Sequence, residues 1–117
     1  MNIDHIGIVV KSLVTGIEHW EKIFEYKQQT GIIINKKQKV KIVFLSKDNS
    51  MTVKLMEPLD QSSPVYCLAK KGGGLHHLCF KCTNVEKETD RLKSNGLRVL
   101  VNPEPGDAVD NENISFL

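Results

Sequence analysis

Displaced by 72 positions, the sequence aligns with itself without a gap in two places. Ile3-Asp4-His5-Ile6-Gly7-Ile8 falls on Leu75-His76-His77-Leu78-Cys79-Phe80, and Lys11-Ser12-Leu13 falls on Thr83-Asn84-Val85. Each copy reads as an apolar strand, then a helix N-cap (Ser12 or Asn84), then a helix. Leu13, Ile17, Trp20 and Phe24 recur at helical spacing and define one buried stripe. Val85, Thr89 and Leu92 give a thinner stripe on a charged helix that stops at Asn95-Gly96. A chain built on such a repeat has few folds open to it.

After the first helix come strand-like runs at residues 26–34, 40–47 and 51–57, the last two separated by the turn signal Asp48-Asn49-Ser50. A bridge follows, in which Ser63 caps and Pro64 opens a helix that stops at Gly72-Gly73-Gly74. The second copy then reads strand 75–81, helix 85–95, strand 97–101 and strand 112–117, one strand fewer than the first. The expectation is an α+β fold of paired βαβββ modules, forming a curved mixed sheet around a cleft, with the second module lacking its last strand. A single domain, 1–117, would comprise module one at 1–59, a bridge at 60–74 and module two at 75–117.

Composition narrows the function. Hydrophobic residues make up 40% and charged residues 26%, the balance of a soluble globular protein. The net charge of +2 comes from interleaved Lys and Glu, which argues against nucleic acid or an anionic membrane as partner. The N-terminal stretch does not read as a secretory leader, and apolar runs such as 6–10 and 31–34 are too short to span a bilayer. Three cysteines (Cys67, Cys79, Cys82) cannot all pair, which suits a reducing, cytoplasmic setting. Cys79 and Cys82 form a C-F-K-C, but on a strand the two thiols face opposite ways and read as small buried residues rather than a redox pair.

The histidines carry the chemistry. Neighbours on a strand point to opposite faces, so only one of His76 and His77 is expected in a given cavity. The repeat selects His77 as the counterpart of His5, putting the two on one face of the sheet. Gly7 and Val9 share the His5 face, Cys79 and Lys81 the His77 face, and small residues there would leave room for a ligand. Ile6, Ile8 and Val10, with Leu78 and Phe80, would pack under the helices. His76 is expected to be a structural residue bonded near the helix bridge, and His19 a helix-surface residue.

The segments IDHIGIVV, MEPL followed by SSPV, GGGLHHLCF and NISFL resemble the vicinal oxygen chelate superfamily over nearly the whole chain. Within it they are most similar to the methylmalonyl-CoA epimerases, and more distantly to the lactoylglutathione lyases. The resemblance implies a divalent metal (Co, Mn, Ni, Zn or Mg) held by four side chains, one from each first strand and one from each fourth. His5 and His77 match the two first-strand ligands. The fourth-strand Gln or Glu of module one falls on Lys54, and that of module two would lie past Leu117. The proton-abstracting carboxylate of the resemblance falls near Ile42, which accepts no proton.

Lys54 is therefore the candidate catalytic residue, with His5 and His77 as candidate metal ligands. An ammonium donates no lone pair to a metal, yet it can bind a carboxylate, phosphate or enolate as a fixed cation. The bland alternative has Lys54 facing solvent, or pairing with Glu57 or Glu112. The acidic loop 102–111 would either cover substrate or be a plain solvent-facing connection. The partner expected is a small molecule, with acyl-CoA implied by the resemblance, and the missing strand favours a homodimer. Three functions stay open. They are metal-dependent α-proton abstraction from an acyl thioester, a degenerate binding protein on the same fold, and a lactoylglutathione-lyase-like enzyme.

Overall fold

A computed structural model describes residues 2–98, 101–105 and 113–116. The chain groups into two compact units, Ile3–Phe80 and Met1–Asn2 with Lys81–Leu117.

The larger unit realises the first βαβββ copy. Strand β1 (Asn2–Val9) leads to helix α1 (Leu13–Phe24), followed by β2 (Lys27–Gln28), β3 (Ile33–Asn35), β4 (Val40–Ser46) and β5 (Thr52–Pro58). A short helix α2 (Tyr66–Lys70) and strand β6 (Gly74–Lys81) complete it. The six strands form one sheet in the order β2-β4-β5-β1-β6, with β3 also on β4. β1 runs parallel to β5, pairing Gly7 with Lys54, while β4 and β5 are antiparallel, pairing Phe44 with Lys54.

Helix α1 begins where the sequence says it should. The Ser12 hydroxyl accepts the Thr15 N–H at 3.2 Å, and Glu57 accepts the Leu13 N–H at 2.6 Å, so two of the donors a helix start leaves unpaired are satisfied. The helix ends at Glu25, in the left-handed region at φ 61°. Leu13 and Ile17 pack on Val43, Leu45, Val53 and Leu55, with Ile8, Val10, Trp20 and Tyr26 around them. Each aliphatic side chain so buried contributes about 1.5–3 kcal/mol. This apolar layer uses one side of the sheet. By strand alternation, His5, Gly7, Val9, Ile42, Phe44, Lys54 and Met56 occupy the other.

Three expectations need correction. The run 26–34 is two short strands, because at Thr30 the side-chain hydroxyl accepts the Phe44 N–H (3.1 Å) in place of a backbone carbonyl. In the bridge, Ser63 accepts the Val65 N–H within a turn, and the helix starts only at Tyr66. Leu78 and Phe80 do not pack under helices: they stay 49% and 47% exposed, since β6 ends the sheet order while α1 lies over β4 and β5. Gly73 is required on two counts, a φ of 82° and a backbone so close to the Val9 carbonyl that a β-carbon would overlap it.

The smaller unit holds helix α3 (Val85–Ser94), β7 (Val101–Pro105) and β8 (Asn113–Phe116). Asn84 caps α3 by accepting the Lys87 N–H at 3.0 Å, and Gly96 (φ 98°) ends the turn that follows it. Thr89 is buried on the expected stripe. β7 and β8 pair antiparallel, with a bulge between Val101 and Glu104. Of the strand expected at 97–101, Leu97 and Arg98 are not strand and Val101 is, and the first part of the loop expected at 102–111 is strand. Its remainder, like Glu112, lies outside the described residues.

The whole is the α+β arrangement anticipated, with β6, α3, β7 and β8 following the order of the second copy.

Candidate functional site

The two copies of the repeat bring their histidines together. The rings of His5 on β1 and His77 on β6 lie 5.5 Å apart, centroid to centroid, edge to face. The His77 ring fills the space that a side chain on Gly7 would need, so a β-carbon there would overlap it. The room expected beside Gly7 for a ligand is thus taken by an imidazole. Across the same row, Gly7, Lys54 and Phe44 are successive register partners on β1, β5 and β4.

His5 is 2% exposed. Its Nδ1 lies 2.8 Å from Asp4 Oδ2, so Nδ1 carries the proton and donates it to the carboxylate. Nε2 is left as a buried lone pair with no hydrogen-bond partner. Phe44 packs edge-on against the ring at 5.3 Å. Burial holds the His5 pKa below the ordinary imidazole value, Asp4 opposes the shift, and the nearby Lys54 charge reinforces it. His77 is displaced further, to about 4, by burial first, then by the Lys54 charge, and then by repulsion from His76 and His5 where these take up protons too. Both rings are therefore neutral near pH 7.

His76 joins them, against expectation. Its Nδ1 lies 2.8 Å from His77 Nδ1, and the ring centroids are 5.0 Å apart. Such a contact needs one nitrogen to donate and the other to accept, so the pair shares an N–H. Burial and Lys54 lower the His76 pKa as well. Cys79 is a second residue with a larger place than strand reading gave it. Atoms of Asp4, His5 and Cys79 able to bind a metal lie within 4.8 Å of one another.

Lys54 is half-buried at the centre of the row. Its Nζ lies 5.9 Å from the centroid of the Phe44 ring, within reach of a cation–π contact. Burial lowers its pKa and Cys79 opposes this. Glu57, one of its anticipated partners, is already engaged with Lys41 at 3.2 Å and with the Leu13 N–H. Glu112 lies outside the described residues. Ile42 is fully buried in β4 and, as expected, offers no base.

Of the two candidate ligands, His5 is the one prepared for a metal, with one nitrogen oriented by a carboxylate and the other unpaired. The set as a whole does not fit a hard divalent ion. Such an ion seeks oxygen ligands beside imidazole, and here an ammonium stands on β5 in their place. A cation there repels the ion and offers it no lone pair.

The profile of the Glyoxalase/Bleomycin resistance protein/Dioxygenase superfamily matches residues 4–116. An uncharacterized protein of Bacillus subtilis (strain 168), YqjC, is 30% identical over 98% of this chain and 81% of its own. An ethylmalonyl-CoA/methylmalonyl-CoA epimerase of Cereibacter sphaeroides is 27% identical over 98% of this chain and 86% of its own. Among solved structures, a variant of Streptomyces coelicolor methylmalonyl-CoA epimerase in complex with 2-nitronate-propionyl-CoA superposes with a TM-score of 0.87 at 28% identity, covering 100% of this chain and 86% of that one. A methylmalonyl-CoA epimerase in complex with methylmalonyl-CoA and an ammonium ion gives a TM-score of 0.86 at 29% identity, covering 99% and 83%.

Proposed function

Because the chain belongs to the Glyoxalase/Bleomycin resistance protein/Dioxygenase superfamily, we propose that it is an isomerase that epimerises a small acyl thioester at the carbon beside the thioester carbonyl. The observation that carries this reading is the cluster of three neutral imidazoles around Lys54, in a chain whose named relatives are methylmalonyl-CoA epimerases.

The reaction removes the α-proton, passes through a planar enolate that has lost its configuration, and returns a proton to the opposite face. His5 Nε2 is a basic lone pair with no protein donor on it, to be reached by substrate once the His77 ring turns aside, and Asp4 stabilises the imidazolium formed when it accepts the proton. The His5 imidazolium so formed is the acid that returns the proton once the enolate presents its other face, which restores the neutral ring. Sulfur makes the α-proton of a thioester more acidic than that of an ester, which narrows the gap an imidazole base has to bridge. A divalent ion, as the family resemblance implies, would act as a Lewis acid on the carbonyl. No step above relies on one, and Lys54 counts against it.

Deuterium uptake tests the proposal. Methylmalonyl-CoA incubated with the protein in D₂O should gain one α-deuteron by mass spectrometry, and His5→Ala should slow this about 10²- to 10⁴-fold. The absence of exchange, with or without added Co²⁺ or Mn²⁺, would overturn it. A binding protein on the same scaffold is the second reading, favoured by the buried Ile42 where a carboxylate base was looked for. It predicts binding without exchange. A homodimer belongs to the proposal as well, and sedimentation equilibrium measures it.

A further inference from the structure

We infer that the ε-ammonium of Lys54 is the resident charge of this site and binds the free carboxylate of a 2-carboxyacyl thioester without a metal ion. The inference deepens the reading above and rests on it for the identity of the thioester, while the binding itself can be measured without turnover.

Four observations support it. Lys54 sits at the centre of the sheet, hydrogen-bonded in register between Gly7 and Phe44, so its backbone position is fixed by two strands. Its surroundings supply bulk and no carboxylate: the Phe44 ring stands at 5.9 Å, and the group whose charge favours the ammonium is the thiol of Cys79. The acids that strand reading offered it are committed elsewhere or lie outside the described residues. Glu57 holds the start of α1 and Lys41, and Asp4 holds His5 Nδ1. Among the described residues, no carboxylate forms an ion pair with Lys54.

A half-buried ammonium in this position has lost part of its hydration, and no carboxylate among the described residues compensates it. A ligand carboxylate restores both the charge balance and the hydrogen bonds, since the ammonium has three donors and the carboxylate only acceptors. Substrate carboxylate and protein cation are then complementary, and a divalent ion at the same place is redundant. A neutral acyl thioester lacks the group that completes the pair.

Calorimetry on EDTA-dialysed protein tests this with two probes, methylmalonyl-CoA and propionyl-CoA, which differ by the carboxylate. The wild type should bind methylmalonyl-CoA at least about tenfold more tightly, the difference expected for one charge-assisted contact. Lys54→Met should bring the two affinities within about twofold, and Lys54→Arg should retain most of the preference. Propionyl-CoA affinity in Lys54→Met reports whether the site is intact. If it is lost, Lys54→Gln replaces Lys54→Met in the comparison. A preference unchanged in Lys54→Met, absent from the wild type, or present only after divalent metal is added overturns the inference. Failure of the isomerase reading has a different signature: a Lys54-dependent preference with no deuterium uptake.

Discussion

The imidazole of His77 rests where a side chain on Gly7 would be, so the two first strands of the repeat meet through a ring laid on a bare backbone. Gly7→Ala should push that ring aside. We expect a destabilisation of about 1–3 kcal/mol in urea unfolding, typical of overpacking, together with a shift of the His77 ring resonances. A variant as stable as the wild type, with unchanged His77 signals, would show that the ring is not seated there.

Asp4 selects the tautomer of His5. Nitrogen-15 spectra of the imidazoles should show the proton of His5 on Nδ1 in the wild type and a mixture of tautomers in Asp4→Ala. Deuterium uptake should fall by about tenfold or more with it, as losing the partner of a working histidine generally costs.

Acid should weaken the fold before it protonates most carboxylates. His77 titrates at about 4 in the native chain and near 6.5 when unfolded. Between those values the unfolded chain binds the proton and the native chain does not, so stability falls as pH drops from about 6.5 towards 4. His5 and His76, also lowered, add in the same direction. Chemical denaturation at stepped pH measures the slope, and His77→Gln should flatten it.

Glu57 is expected to matter more than its ion-pair partner. Glu57→Ala removes the acceptor of the Leu13 N–H at the start of α1, a loss of about 1–2 kcal/mol. Lys41→Ala breaks only a half-exposed salt bridge, worth about 0.2–1 kcal/mol. Equal effects in thermal unfolding would contradict this ranking.

Much of this architecture could be read from the chain because the repeat supplies two independent views of one pattern. The Ser12 and Asn84 caps, the Leu13–Ile17 stripe and the common face of His5 and Gly7 all follow from periodicity and the 72-residue offset. Strand alternation failed at His76 because it describes the direction of Cα–Cβ bonds. The ring of a long side chain next to its neighbour can still turn back to meet it, as the 2.8 Å Nδ1 contact shows. The same limit hid the contact from Asp4 to His5, again between adjacent residues. Thr30 escaped for another reason. Its hydroxyl imitates a main-chain acceptor, and composition does not distinguish that from a continuous strand.

The pairing of a sealed ring with a rim acid has a consequence for traffic with bulk water. The His5 side chain is 3% exposed and the Asp4 side chain 44%, so whatever hydrogen the imidazole exchanges on its Nδ1 side leaves by way of the carboxylate. Asp4 is thus the doorstep of the buried base, the point where solvent isotope, buffer and ionic strength are first felt.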